Sequence, residues 1–453
     1  MLDLCIIIIH SPKWTTQLAL GWELFVNTLK YPMPNQMKKT CCLLLSLLAM
    51  NSFAQSTDTT YLKQLLQKHS DVFADVLNHP QHHEVQILFT QINRNKKNVA
   101  SFQSFSYRLD SEWYFYPAST VKLPTAIFAL EKINELDIKG LTSDTPLRID
   151  SAFDKQSSVY TDLSAMNGLP SIAQYVRKIL LTSDNDAQNR LYEFIGRAEL
   201  NKKLKKHGAK HSRIVNRLAI GDKGIWSKHT NPITFFLNDT IVYQQAAQYD
   251  ASDYPIVLQN TVQGKGYMNE KDEVVYEPWS FEGLNVYTIE DQQMILRKLL
   301  FPESFPVSER FCLQERDYRL LYDYMSMYPH ESNYPSYDTV EFWPTYSKLL
   351  FYGREKNAVL NPNIRIFNKY GDSYGYNIDN AYIVDFKNGV EFLLTVVVQA
   401  NANEIYNDGI YEYETVTYPF LKNLGRILYQ EELKRVKEVK PDLSKFDFGK
   451  RLK

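Results

Sequence analysis

The chain has 453 residues, enough for up to three domains at about 150 residues each. Its 44% hydrophobic and 23% charged residues are those of an ordinary globular protein. With 51 Lys and Arg against 52 Asp and Glu, no overall field attracts nucleic acid or an anionic membrane.

Met37, Lys38 and Lys39, the apolar run Cys41 to Met50 and the small-residue stretch Ser52-Phe53-Ala54 have the three parts of a secretory signal, with cleavage expected after Ala54. The run falls short of the roughly 20 residues of a membrane span, so export without a stable anchor is expected, to the periplasm or beyond. Residues 1–36 lie upstream of this complete signal and read as a mis-called start. Beyond Ala54 only Cys312 remains, so no intrachain disulfide can form.

Tyr61, Leu62, Leu65, Leu66, Val72, Phe73, Val76 and Leu77 predict helix over 60–78. Alternating runs at Val85–Ile92 and Val99–Tyr107 then predict a hairpin. A helical middle is expected from about Thr120 to Lys206. Residues 226–285, rich in Trp, Tyr and Pro, match neither period and read as an inserted, partly ordered lobe. Strands are expected at Ile364–Asn368, Ala381–Phe386 and Val390–Val398, the last two joined by a two-residue Asn388-Gly389 turn. A helix over Tyr413–Leu433 and a charged tail, 434–453, close the chain. Strands from both ends around a helical middle predict an α+β fold, in which one antiparallel sheet forms when distant segments meet.

Three motifs carry chemistry. In Tyr116-Pro117-Ala118-Ser119-Thr120-Val121-Lys122, Ser119 and Lys122 share one helix face, and a neutral Lys122 can take a proton from the hydroxyl. Thr182-Ser183-Asp184-Asn185 offers a hydroxyl suited to relaying a proton and an amide suited to holding a carbonyl. Asn368-Lys369-Tyr370-Gly371-Asp372 sets a cation and a closely approachable backbone at the end of a strand. Each motif alone is also met in ordinary helix caps and turns.

Other patterns read as structure. Gly371-Asp372-Ser373-Tyr374-Gly375 matches G-x-S-x-G, but the strand pattern after it excludes a nucleophile elbow, which needs a helix there. His79, His82, His83 and Glu84 read as a solvated loop without a metal. The basic stretch Lys202 to Arg213 reads as a solvated helix face.

Together, S-x-x-K, S-D-N and K-x-G in this order and context resemble the class A β-lactamases and penicillin-binding proteins. The resemblance covers roughly residues 60–435 and includes Asn189 on the S-D-N helix and the later helices Ile289–Leu300 and Leu313–Met325. It implies a β-lactamase-like fold with a five-stranded antiparallel sheet flanked by helices, and an acyl-serine mechanism without cofactor or metal. Ser119 would be the nucleophile, Lys122 the base, Ser183 the proton relay, Asn185 a substrate contact and Lys369 electrostatic support. The backbone N–H groups of Ser119 and Asp372 would form the oxyanion hole, with Tyr370 and Gly371 binding substrate. The implied substrate is a β-lactam or a peptidoglycan-like amide, and a D,D-peptidase or a non-enzymatic sensor would share the fold. The chain departs from the class in two places. Tyr370 replaces a small hydroxyl, and its phenol is expected to project further into the site. The segment Arg213 to Asp222 lacks the Glu that activates the deacylating water, leaving Asp222 as the only nearby acid.

Overall fold

The computed structural model describes residues 58–222 and 224–449; the expectations for residues 1–57 lie outside them. Five strands form one antiparallel sheet: β1 (Gln86–Arg94), β2 (Ala100–Tyr107), β3 (Ile364–Ser373), β4 (Tyr376–Asp385) and β5 (Val390–Gln399). Their order is β3-β4-β5-β1-β2, so the first hairpin docks along β5 and the two ends of the chain share one sheet. On β5, Phe392, Leu394, Val396 and Val398 face one apolar layer and Leu393 the other, the period of two that a strand imposes. Both faces of β4 and β5 are buried, as the apolar content of these strands requires.

One face is covered by α1 (Thr60–Lys68), α2 (Ser70–Asn78) and α9 (Tyr418–Lys434), which contribute Leu62, Phe73, Phe420 and Leu424 to a shared core. Against the other lies the helical body: α3 (Lys122–Leu136), α4 (Ile172–Thr182), α5 (Asn185–Ile195), α6 (Arg197–Lys206), α7 (Ile289–Leu300) and α8 (Glu315–Ser326). Caps fix where these helices start. Ser171 Oγ accepts from the Gln174 N–H at 3.1 Å, the Asp184 carboxylate from the Ala187 N–H at 2.8 Å, and Thr288 Oγ1 from the Asp291 N–H at 3.3 Å.

Several expected elements differ. The first helix divides at His69 into two. The helical middle is interrupted over 137–171, where Asp137 turns left-handed (φ 48°) and Gly140, Pro146, Gly168 and Pro170 disfavour helix. A short strand there, Leu147–Ile149, pairs with the hairpin Ile233–Leu237/Thr240–Gln245 from the region read as a lobe, and Ile233 and Phe235 enter the main core. The turn after β4 spans Phe386 to Gly389, four residues instead of two, because the Asp385 carboxylate holds the Lys387 and Asn388 N–H groups. The last helix begins with a π-helical turn at Tyr413–Thr417. Beyond it the tail folds back and buries Leu443 and Phe446, the latter against Phe301, Phe367 and Tyr382.

Candidate active site

Ser119 lies in a tight 3₁₀ turn, Ala118–Val121, that feeds α3. The turn is tied by Thr120, whose N–H and hydroxyl both donate to the Pro117 carbonyl, at 3.1 and 2.6 Å. Ala118 has φ 46°, a left-handed backbone that costs a non-glycine residue free energy and is common where function over-determines geometry. Ala118, Thr120, Val121 and Lys122 are buried, whereas Ser119 is partly exposed. Ser119 is therefore the residue of this turn that reaches solvent.

Lys122 opens α3 and is fully buried. Its ammonium donates to the Ser183 carbonyl, to Ser183 Oγ at 3.1 Å and to Asn185 Oδ1 at 2.6 Å. No hydrogen bond joins Ser119 to Lys122 in this state; Lys122 turns instead to the loop between α4 and α5. Ser183 occupies that loop with φ 63°, ending α4, and Asp184 caps α5 immediately after it. From the sheet, Lys369 Nζ donates to the same Ser183 Oγ at 2.9 Å and to the Tyr370 carbonyl at 2.7 Å. Two lysines from distant parts of the chain thus converge on one hydroxyl.

Burial governs their charge. It pulls Lys122 down to about 7, against the opposing pull of Asp184 and Asp372. Lys369 is pushed well below its ordinary range, first by burial and then by the neighbouring Lys122. A buried pair of amines on one hydroxyl favours at least one being neutral near pH 7, and a neutral lysine is a base.

Gly371 brings β3 against the Ser119 turn. A Cβ there would sit 2.8 Å from Ser119 N, 3.0 Å from the Pro117 carbonyl oxygen and 3.1 Å from Ala118 Cβ, so only glycine permits this approach. The Asp372 carboxylate pairs with Arg354 at 2.6 Å.

Tyr370 does not project its phenol toward a ligand as expected. Its ring is buried, with Lys369 Nζ 4.4 Å from its centroid, the Arg354 guanidinium 5.5 Å away, and Tyr346 against its edge. It supports the two cations and presents no free hydroxyl to the cleft. Arg354 carried no local sequence signal, because it comes from an irregular loop and is recognisable only by its contacts. Behind Lys369, buried Lys348 donates to Asn368 Oδ1 at 2.8 Å, and Asn368 donates to Asp379 at 2.8 Å. Burial raises the Asp379 carboxyl to about 6.

The loop expected to replace the water-activating segment is anchored by Asn189, whose amide accepts from the Leu218 N–H at 2.8 Å and donates to the Leu218 carbonyl at 3.0 Å. Asp222 is not turned toward the serine. Both its oxygens are taken by Arg217, through the backbone N–H (2.7 Å), Nε (3.1 Å) and Nη2 (3.1 Å), and Arg217 also binds Glu193 at 2.9 Å. At the other end, Ser373 closes β3 and Tyr376 opens β4, so Gly371–Gly375 is a strand end and turn, as expected.

A five-stranded antiparallel sheet with helices on both faces, holding S-x-x-K, S-D-N and K-x-G side chains in one place, is the architecture of an active-site-serine hydrolase. The sequence matches the β-lactamase enzyme family over residues 68–431, and the chain belongs to that family. Among solved structures it is similar to a β-lactamase from Sphaerobacter thermophilus DSM 20745 (12% identity, TM-score 0.44, covering 81% of this chain and 99% of that one). It is also similar to PBP-A (17%, 0.45, 83% and 97%) and to a β-lactamase from Xanthomonas campestris pv. campestris (13%, 0.44, 81% and 98%). No curated protein matches it significantly.

Proposed function

We propose that this is an exported enzyme of the class A β-lactamase type that acylates readily and deacylates slowly. The observation that carries the reading is the convergence of Lys122 and Lys369 on Ser183 Oγ beside a serine turn packed against Gly371. Ser119 Oγ attacks the carbonyl carbon of a strained or activated amide and gives its proton to neutral Lys122. The O–C bond forms, the C–N bond breaks, and the leaving nitrogen takes a proton through Ser183. The N–H groups of Ser119 and Asp372 hold the developing oxyanion. Asn185, 2.6 Å from Lys122, orients the base and the substrate carbonyl side. Export rests on the Lys38 to Ala54 pattern.

The engagement of Asp222 with Arg217 favours a second reading, a peptidoglycan D,D-peptidase, in which a long-lived penicilloyl adduct is the expected by-product. Intact mass followed over time after mixing with benzylpenicillin separates these readings. A one-penicillin adduct on Ser119 that lasts minutes, followed by slow turnover, supports the proposal. A permanent adduct together with release of terminal D-Ala from a peptide ending in D-Ala-D-Ala supports the peptidase. No adduct with any acylating probe leaves a sensor.

A further inference from the structure

The residues around Ser119 do not end at its motifs. Tyr116, three residues before the nucleophile, packs edge-on against Tyr374 at 4.9 Å between ring centroids and lies 6.0 Å from Phe281. Tyr374 in turn meets Trp279 at 5.5 Å, and Trp279 meets Tyr267 at 4.9 Å. Phe281 is buried beneath these rings, whereas Tyr116, Tyr374, Trp279 and Tyr267 each keep part of their surface exposed. Two come from the segments that carry the nucleophile and β3; Trp279, Phe281 and Tyr267 come from residues 226–285.

The shelf is built and held. Tyr374 adopts φ 55°, a left-handed backbone that is an outlier for a bulky aromatic residue. Gly375 follows at φ 80°, and its N–H donates to the Tyr413 hydroxyl at 3.0 Å. The strain therefore presents one ring, and a π-helical turn on another element keeps it there. The segment carrying Trp279 is fixed to the sheet by Gln263, whose Oε1 accepts from the Tyr406 hydroxyl at 2.6 Å and lies 2.8 Å from that of Tyr376. Asn260 donates to Glu84 at 2.8 Å in the same contact.

We propose that these rings form a preformed subsite for a flat, uncharged ring on the acyl side of the substrate, so that residues 226–285 are a specificity element of the active site. The inference rests on Ser119 being the acylated serine. Lys369 and Ser183 mark where the leaving nitrogen receives its proton, and Tyr374 lies further along the same strand, past Gly371 and the serine turn. The part of the substrate that stays on Ser119 is the part that reaches the rings. Their continuity with the Ser119 turn, through buried Ala118 in the same apolar cluster, makes an acyl substituent the fitting occupant.

The test compares acylation rate constants for benzylpenicillin, which carries a phenyl ring on its acyl side chain, and 6-aminopenicillanic acid, which has the same nucleus and no ring. The unmodified protein is expected to prefer benzylpenicillin. In Trp279→Ala and in Tyr374→Asn, chosen because Asn tolerates the left-handed backbone, the ratio of the two rates should fall about tenfold, and Trp279→Phe should restore most of it. A ratio unmoved by both losses overturns the proposal. If neither penicillin acylates the unmodified protein, the acyl-serine reading fails by itself. The shelf is then read from quenching of tryptophan fluorescence: tighter binding of benzylpenicillin, weakened in Tyr374→Asn, upholds it, and equal affinities overturn it.

Discussion

The two groups of residues that the proposed reaction would use were built by different means. On one side, Lys122, Ser183, Asn185 and Lys369 come from α3, the α4–α5 junction and β3, and are joined by hydrogen bonds, the Lys369–Ser183 bond spanning 186 residues of chain. On the other, the loop 213–222 is tied by Asn189 and Arg217 to helix α5, and its one carboxylate is spent on an arginine. The first side keeps buried, titratable groups close to neutrality beside an accessible hydroxyl, a state that costs stability and serves chemistry. The second satisfies every charge it buries, as a structural loop does. On the proposed acyl-serine mechanism, acylation and deacylation draw on unequal equipment.

The largest effect is expected at Ser119, the proposed nucleophile. Ser119→Ala should abolish the covalent adduct, and Lys122→Met should slow its formation by about 10²–10⁴-fold, the usual contribution of a general base. Rapid mixing with a chromogenic cephalosporin and intact mass measure both. An adduct that survives in Ser119→Ala places the chemistry elsewhere.

Next comes the contact that joins the sheet to the serine turn. Gly371→Ala puts a methyl within 2.8 Å of a backbone nitrogen, which cannot move as a flexible side-chain tip could. The turn must shift by several tenths of an ångström, and misplacement of about 1 Å can cost on the order of 10²-fold. Acylation should fall by that order while the protein remains folded, as judged by its far-ultraviolet circular dichroism. A variant of unchanged rate would mean that the approach of β3 does not set the geometry.

The charge state of Lys122 gives a smaller, graded effect. With its pKa lowered by burial to about 7, the acylation rate should drop by about tenfold per unit below pH 7 and level off above it. Stability follows the same shift. Between about 7 and the ordinary value of 10.5 the unfolded chain binds more protons than the folded one, so this residue makes stability rise with pH across that window. Rates measured from pH 5 to 9 check the first statement; a flat profile would show that Lys122 is not the base.

Much of the cluster around Ser183 was legible because each motif is local: Ser119 and Lys122 are a turn apart, Ser183 and Asn185 sit at a helix cap, and Lys369 and Gly371 alternate on a strand. The sheet was legible for the same reason, since period-two runs mark strands wherever their partners lie. What escaped reading depends on tertiary contact. The phenol of Tyr370 was expected in the cleft, yet Arg354 and Tyr346, from an irregular loop, bury it. The tail read as charged, but two apolar residues among its lysines, Leu443 and Phe446, were enough to dock it. Residues 226–285 showed no period because they form strands of two to six residues, too short for alternation to register.

The smallest expected effect on chemistry is at Asp222, and it bears directly on the contrast between the two sides. If this carboxylate activated the deacylating water, Asp222→Asn would lengthen the life of the acyl-enzyme by about 10²–10⁴-fold. Its oxygens instead accept three hydrogen bonds from Arg217, and both side chains are buried. Removing the Asp222 charge leaves Arg217 with Glu193 as its remaining ionic partner, and weakening a buried pair in this way costs up to about 3 kcal/mol. Asp222→Asn should therefore lower the unfolding midpoint in denaturant and leave the decay rate of the benzylpenicillin adduct unchanged. Chemical denaturation and time-resolved intact mass on the same preparation read the two quantities independently. A stable variant with a much longer-lived adduct would assign Asp222 to catalysis and remove the asymmetry between the two groups of residues.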